Sequence, residues 1–354
     1  MLERVSLERR DRVSAGLQAA AFTGAILLAM ALSVAILLMA GVPTGALFDE
    51  LVLQVFLTGP GLARTLTIAT PMMLVALSAA LCLRLKFWNI GIEGQVQLGA
   101  ICATAVALLD LGGPFRLPVM LLAGGIGGAA WILLPVLLKI RAGVSEVIVT
   151  LLMSNIAFLL LQHLLFGPMG DPAHNFPTSP IFDAAERLPR FGFGDVNAGL
   201  PIAVLALLSA ALMIHRLRFG FAARFAGDNP RAARALGYDT GRLLLISILL
   251  GGAAAGLAGS VIVTGTEFRL SQAVGMSMTF NGIVIAALAR NDPLLIPVAS
   301  LFMAGLSGAG ASLKVFYGVS EGIVLVIQGI FLMCLVTCQF ATTYRIALAG
   351  RVAP

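Results

Sequence analysis

The chain has 354 residues, 59% of them hydrophobic and 11% charged, with a mean hydropathy of +0.99 and a formal net charge of +6. Soluble proteins carry about 25% charged residues and disordered chains are poor in apolar ones, so a water-soluble globule and an unfolded chain are both excluded. The composition describes an integral membrane protein, in which the location of the basic residues says more than their excess, and no nucleic-acid partner is expected.

A helix crosses the bilayer core in about 20 apolar residues. Ten stretches qualify: 17–40, 65–83, 87–109, 117–138, 147–166, 197–215, 243–265, 271–289, 294–313 and 320–342. The first is too long for a signal-peptide core, and its flank from Glu3 to Arg12 mixes acids with bases, so it reads as a retained span behind a cytoplasmic segment 1–16. The piece 46–59 holds Asp49 and Glu50 and reads as interfacial. With the N-terminus in the cytoplasm, 17 Lys and Arg fall inside, while Arg64, Arg116, Arg187, Arg190, Arg269 and Lys314 remain outside. Ten spans return the C-terminus to the cytoplasm. The expected fold is thus an all-α polytopic membrane protein of about ten transmembrane helices, N-in and C-in, forming a single transmembrane domain over 1–354.

Two connections are long. Residues 167–196 are polar, Pro-rich and outside; residues 216–242 are basic and inside. The outer one is placed to meet a partner or cover an entrance, and the inner one to meet a cytoplasmic subunit.

The third span opens Phe87-Trp88-Asn89-Ile90-Gly91-Ile92-Glu93-Gly94-Gln95-Val96-Gln97. A carboxylate in a membrane costs several kcal/mol unless paired or hydrated, and two glycines weaken the helix around it. The pattern predicts a broken helix whose polar groups face a cavity; the plainer alternative is a self-satisfied re-entry with Glu93 paired to Lys86 or Arg84. The eighth span carries a similar interruption at Gly275–Ile283, where Asn281-Gly282 is a poor helix interior, unless Asn281 is simply bonded to a neighbour. In the seventh span Gly251, Gly252, Gly256 and Gly259, with intervening alanines, read as a surface for close helix approach.

The inner loop holds Gly227-Asp228-Asn229-Pro230-Arg231-Ala232-Ala233-Arg234-Ala235-Leu236-Gly237. Asn229 caps a short helix over 229–237, Pro230 takes its first turn and Gly237 ends it, with Arg231 and Arg234 on one face. Two turns are not stable alone, so something must dock there, and a groove on a cytoplasmic partner fits better than lipid headgroups.

No Gly-x-x-x-x-Gly-Lys-Ser/Thr loop, His-Glu-x-x-His helix, Gly-x-Ser-x-Gly elbow or zinc-spaced cysteine pair occurs. His163, His174 and His215 are scattered, and Cys82, Cys102, Cys334 and Cys338 sit in apolar stretches, where they read as packing residues. The chain is expected to be no enzyme and to hold no metal or cofactor.

The motif Asn89 to Gln95 resembles the Asn-x-Gly-x-Glu-Gly-Gln signature of bacterial ABC importer permeases, in the branch for nucleosides and simple sugars that stands beside the branched-chain amino acid and ribose permeases. Gly143-Val144-Ser145-Glu146-Val147-Ile148 with Asn155, Gly167 through Pro172, Gly227 through Gly237, and Phe280 through Pro293 are similar to the same branch. Trp88 and Ala289 depart from its pattern. The resemblance implies alternating-access import of a nucleoside, base or sugar, with Asn89, Glu93, Gln95, Gln97, Asn155, Phe280 and Asn281 along the substrate path. It makes Gly227, Asp228, Asn229, Pro230, Arg231, Arg234 and Gly237 the coupling element. The partners it implies are an ABC ATPase subunit carrying ATP and Mg, a second permease subunit (a different one, or a second copy) and an extracytoplasmic substrate-binding protein. The location it implies is the bacterial inner membrane. An ion-coupled secondary transporter using Glu93 stands as the alternative.

Overall fold

The computed structural model describes residues 5–9, 14–173 and 176–348. Parts of the N-terminal segment 1–16, together with Arg4, Arg10, Arg12 and Arg351 of the charge asymmetry and His174 of the outer loop, lie outside the described residues. The helices are α1 (Ala15–Met39), α2 (Thr44–Phe48), α3 (Gly59–Arg84), α4 (Ile92–Leu108), α5 (Arg116–Ala142), α6 (Glu146–Leu165) and α7 (Gly199–Arg216), followed by α8 (Arg218–Asp228), α9 (Pro230–Ala235), α10 (Thr240–Ile262), α11 (Met278–Leu288), α12 (Ile296–Tyr317) and α13 (Glu321–Thr343). Eight helices among the described residues are long and apolar enough to cross a membrane, and α4 and α11 are shorter apolar helices. Together they coincide with the ten apolar stretches. The protein is an all-α polytopic membrane protein.

The chain divides into two compact units, one formed by residues 1–54 and 306–354 and the other by 55–305. In the first, α1 packs along α13. Ser14 caps α1 by accepting from Leu17 N at 3.2 Å, and Gln328 Nε2 donates to Ser307 Oγ at 3.0 Å. Two short strands, β1 (Val5–Arg9) and β2 (Tyr344–Leu348), pair antiparallel with Val5 opposite Leu348. That pairing sets Val5–Arg9 and Tyr344–Leu348 side by side.

The second unit is built on α10, which packs against α3, α4 and α5. A Cβ on Gly256 would lie 2.8 Å from Gly128 Cα, and one on Gly259 would lie 2.8 Å from Ala100 N. Only glycine lets these backbones meet, so the small-residue stripe of the seventh span is a packing seam.

The ends of this unit sort as the topology requires. At one end Arg84 Nη2 donates to the Asn291 carbonyl (2.9 Å), Lys139 pairs with Glu146 (2.6 Å) and His215 lies 3.2 Å from Asp292. At the other, Arg116 pairs with Asp110 and with Glu186, the latter at 2.8 Å. There the outer connection is tied to the segment after α10: Phe182 N donates to the Phe268 carbonyl (2.8 Å), Leu188 N to Thr264 O (2.9 Å) and Asn197 Nδ2 to Gly265 O (2.9 Å). Arg187 also stacks 5.0 Å over the Phe268 ring.

Candidate functional site

The break in the third span is real and begins right after α3. Lys86 turns the chain with φ +56, an extended stretch follows, and α4 starts only at Ile92, behind a glycine that offers no capping side chain. A helix start leaves its first N–H groups without intrahelical acceptors. Here distant side chains supply them. Glu93 N donates to Thr279 Oγ1 (3.0 Å) on α11, and Gly94 N to Ser154 Oγ (3.1 Å) on α6. Just ahead of the helix, Ile90 N donates to Thr150 Oγ1 (3.2 Å). A Cβ on Gly94 would lie 2.9 Å from Ser154 Cα, so the glycine is what lets α6 come this close. Thr150, Ser154 and Thr279 escaped the sequence reading because capping across helices has no local signature.

Asn89 and Gln95 turn out to brace the break. Asn89 Nδ2 donates to Gln95 Oε1 (3.2 Å), Gln95 Nε2 to Asn89 Oδ1 (3.0 Å), and Gly91 N also to Asn89 Oδ1 (3.1 Å). Both side chains are buried. Glu93 forms no ion pair among the described residues, and Arg84 is directed instead to the Asn291 carbonyl.

Glu93 and Gln97, one helical turn apart, face a cavity of about 530 Å³ between α4, α6 and α11. Ser154, Asn155 and Phe158 line it from α6, and Met276, Thr279 and Phe280 from the α11 side. The structure therefore brings Glu93, Gln97, Asn155 and Phe280 together and leaves Asn89, Gln95 and Asn281 off the lining. Phe158 and Met276 join it unforeseen: Phe158 follows Leu151 by two turns of α6, while Met276 lies in the irregular stretch before α11, where no helical spacing could point to it. Gln97 is 3% exposed, yet its Oε1 has no hydrogen-bond partner among the described residues. Asn155 is exposed and returns its amide to the Leu151 carbonyl at 2.9 Å.

The eighth span is interrupted earlier than the sequence suggests. Asn281 and Gly282 lie inside α11, and the irregular stretch precedes it, with Gly275 at φ +86 and Ser277 at φ +62. Gly282 stays helical because Val75 of α3 sits against it, where a Cβ would come within 2.6 Å of Val75 Cγ1. Tertiary packing overrides the poor local propensity.

The inner connection contains two helices where the sequence suggested one. α8 carries Phe221 stacked on Phe225 at 6.3 Å, and Phe225 meets Tyr238 edge-on at 6.5 Å. α9 has the expected caps: Asn229 Oδ1 accepts from Ala232 N (3.1 Å), Pro230 opens it, and Gly237 closes it at φ +85. Ala233 is fully buried and Gly227 packs on the Arg84 carbonyl, whereas Asp228, Arg231 and Arg234 are exposed. The site thus offers polar contacts in a half-open cavity and, separately, an exposed basic helix. Among the described residues no group of three His, Cys, Asp or Glu is placed to hold a metal ion.

Residues 61–336 match the family described as the permease component of branched-chain amino acid transport systems. The chain is 36% identical over 317 residues to the glucose ABC transporter permease protein TsgB13 of Haloferax volcanii, covering 86% of this chain and 82% of that protein. It is 28% identical over 320 residues to the guanosine ABC transporter permease protein NupP of Bacillus subtilis, covering 87% and 90%. With the nucleoside ABC transporter permease protein NupB of Lactococcus lactis it shares 27% over 271 residues, covering 73% and 74%.

Proposed function

The chain belongs to the permease-component family of branched-chain amino acid-type transport systems, and from that premise we propose that it carries a nucleoside or a simple sugar inward across the bacterial cytoplasmic membrane, through the cavity between α4, α6 and α11. It is a multi-pass transport subunit and not an enzyme. ATP and Mg are held by a separate ABC ATPase, and an extracytoplasmic binding protein delivers the substrate. A second permease subunit, a different one or a second copy of this chain, completes the path. The named relatives support the substrate class; they act on glucose, guanosine and nucleosides respectively. They give the ion-coupled alternative no support.

The observation that carries the reading is Gln97. A buried acceptor left unpaired costs about 1–3 kcal/mol, and Gln97 Oε1 is left so beside a cavity. Once the side chain turns this oxygen into the cavity, a substrate hydroxyl or ring N–H would satisfy it, with Glu93 accepting a second donor. Phe280 and Phe158 supply flat apolar surface for a sugar face or a base. The substrate meets these groups on one wall only, and alternating access would close the rest of the path around it.

Arg231 and Arg234 of α9 are the contacts we assign to the ATPase. The cap geometry and the exposure of both guanidinium groups support that role. The test is uptake of labelled guanosine, adenosine, uridine, ribose and glucose by cells with and without the chain, repeated after ATP depletion and after collapse of ion gradients. Chain-dependent uptake that vanishes with ATP and survives gradient collapse is expected; uptake that follows the gradient would overturn the assignment. Changing Arg231 and Arg234 together to Glu should cut uptake at least about tenfold by weakening the subunit contact, with membrane insertion unchanged.

A further inference from the structure

At the inner end of the second unit lies a cavity of about 910 Å³ with a strongly cationic wall: Arg84, Lys86, Arg216, Arg218, Arg224 and Arg290 all line it. Its acids are Asp228 and Asp292, and Asp292 is engaged by His215 at 3.2 Å. None of the six cations forms an ion pair among the described residues. Two buried polar atoms beside the cavity also lack partners, Arg84 Nε and Asn291 Oδ1. The backbone here is held in the left-handed region at three non-glycine residues, Lys86 (φ +56), Arg290 (φ +52) and Asn291 (φ +58). Asp292 also faces Arg84, and two acids against six cations leave a net positive charge that an anion would balance.

Leu217, at the junction of α7 and α8, belongs to this cavity and also to a second one of about 590 Å³. The second cavity runs along α3, α5, α7 and α10 and is lined by residues such as Leu77, Leu81, Ile126, Met213, Leu250 and Leu257. Ser209 is its single polar side chain, and that hydroxyl donates to the Ala206 carbonyl at 2.8 Å. Passing down α7, the lining changes from Ala206, Ala210 and Met213 in the apolar cavity to His215, Arg216 and Leu217 in the cationic one. An apolar groove that shares Leu217 with a cationic cavity suits the chemistry of an acyl chain attached to a phosphate.

We propose that this paired site binds one anionic phospholipid, its phosphate among Arg84, Arg218 and Arg224 and one acyl chain in the groove between α5, α7 and α10. The groove is what selects a lipid over a free phosphate or an acidic protein surface, neither of which has anything to place against Leu77, Met213 and Leu257. Bound there, the lipid ties α8 to the ends of α3 and α11. The inference is independent of which solute the chain transports.

The test is native mass spectrometry on the delipidated full chain in detergent. It would be titrated with phosphatidylglycerol, with phosphatidylcholine of the same acyl chains, and with inorganic phosphate. Phosphatidylglycerol should bind at least about tenfold more tightly than phosphatidylcholine, since only its headgroup carries a net negative charge for the arginines to attract. Changing Arg218 and Arg224 together to Gln should abolish that preference. Ser209→Phe, which fills the groove and touches no cation, should weaken both lipids. Equal binding of the two lipids, or a preference that survives both variants, would overturn the proposal. Inorganic phosphate binding as tightly as phosphatidylglycerol, with Ser209→Phe silent, would assign the site to a free anion. Loss of ATPase co-purification in the Arg variant with lipid preference intact would assign the cations to the subunit contact.

Discussion

The two sides of α4 are built to opposite specifications. Toward α5 and α10, Gly99, Gly256 and Gly259 bring backbones into direct contact, and nothing larger than hydrogen fits between them. Toward α6 and α11, the same helix presents Glu93 and the buried Gln97 to a cavity, and three hydroxyls satisfy the break beside it. One side fixes the helix by exclusion of volume; the other fixes its start by hydrogen bonds that leave room beside it. A transport path needs both, because a polar wall can change partners during a cycle only if the helix that carries it is held from behind.

That contrast can be broken from the closed side first. Gly256→Leu should cost at least about 3 kcal/mol, since overpacking here meets backbone that cannot yield. Thermal unfolding of the purified chain and its level in membranes would both fall; a stable, fully active variant would show that the seam is loose. Gly94→Ala tests the joint between the two sides. Its Cβ would press on Ser154 Cα, so a stability loss of about 1–2 kcal/mol is expected together with a changed uptake KM. A change in stability alone would separate the break from the path. Gln97→Leu should do the reverse. Removing a buried unpaired acceptor leaves stability equal or slightly higher, while the lost substrate bond raises the uptake KM about tenfold. An unaltered KM in that variant would remove Gln97 from the path.

Much of this was legible in the sequence, and for stated reasons. The ten apolar stretches appear as helices because length and hydropathy alone decide what a bilayer accepts. The caps of α9 follow from Asn229, Pro230 and Gly237 through local geometry, and the break before α4 follows from Gly91 and Gly94 beside Glu93. What could not be read is tertiary. Whether Asn89 faces substrate or Gln95 depends on how Leu85–Gly91 folds back, and it pairs with Gln95. Asn281-Gly282 looked like a helix breaker, but Val75 packs against it and the irregular stretch moves upstream. The hydroxyls of Thr150, Ser154 and Thr279 cap a helix far away in sequence, which no spacing rule reports. α8 went unseen because its positive charges mask the Phe221–Phe225 face.

The most direct test of the path is substrate protection of a single thiol. Asn155→Cys would be placed in a chain whose Cys82, Cys102, Cys334 and Cys338 are changed to Ala, and its labelling by a membrane-impermeant thiol reagent followed in the assembled transporter. Guanosine or glucose, whichever the cells accumulate, should slow labelling at position 155 and leave a control thiol at Leu111, exposed in the turn between α4 and α5, unaffected. Equal labelling at position 155 with and without substrate, in a variant that still transports, would contradict a path between α4, α6 and α11.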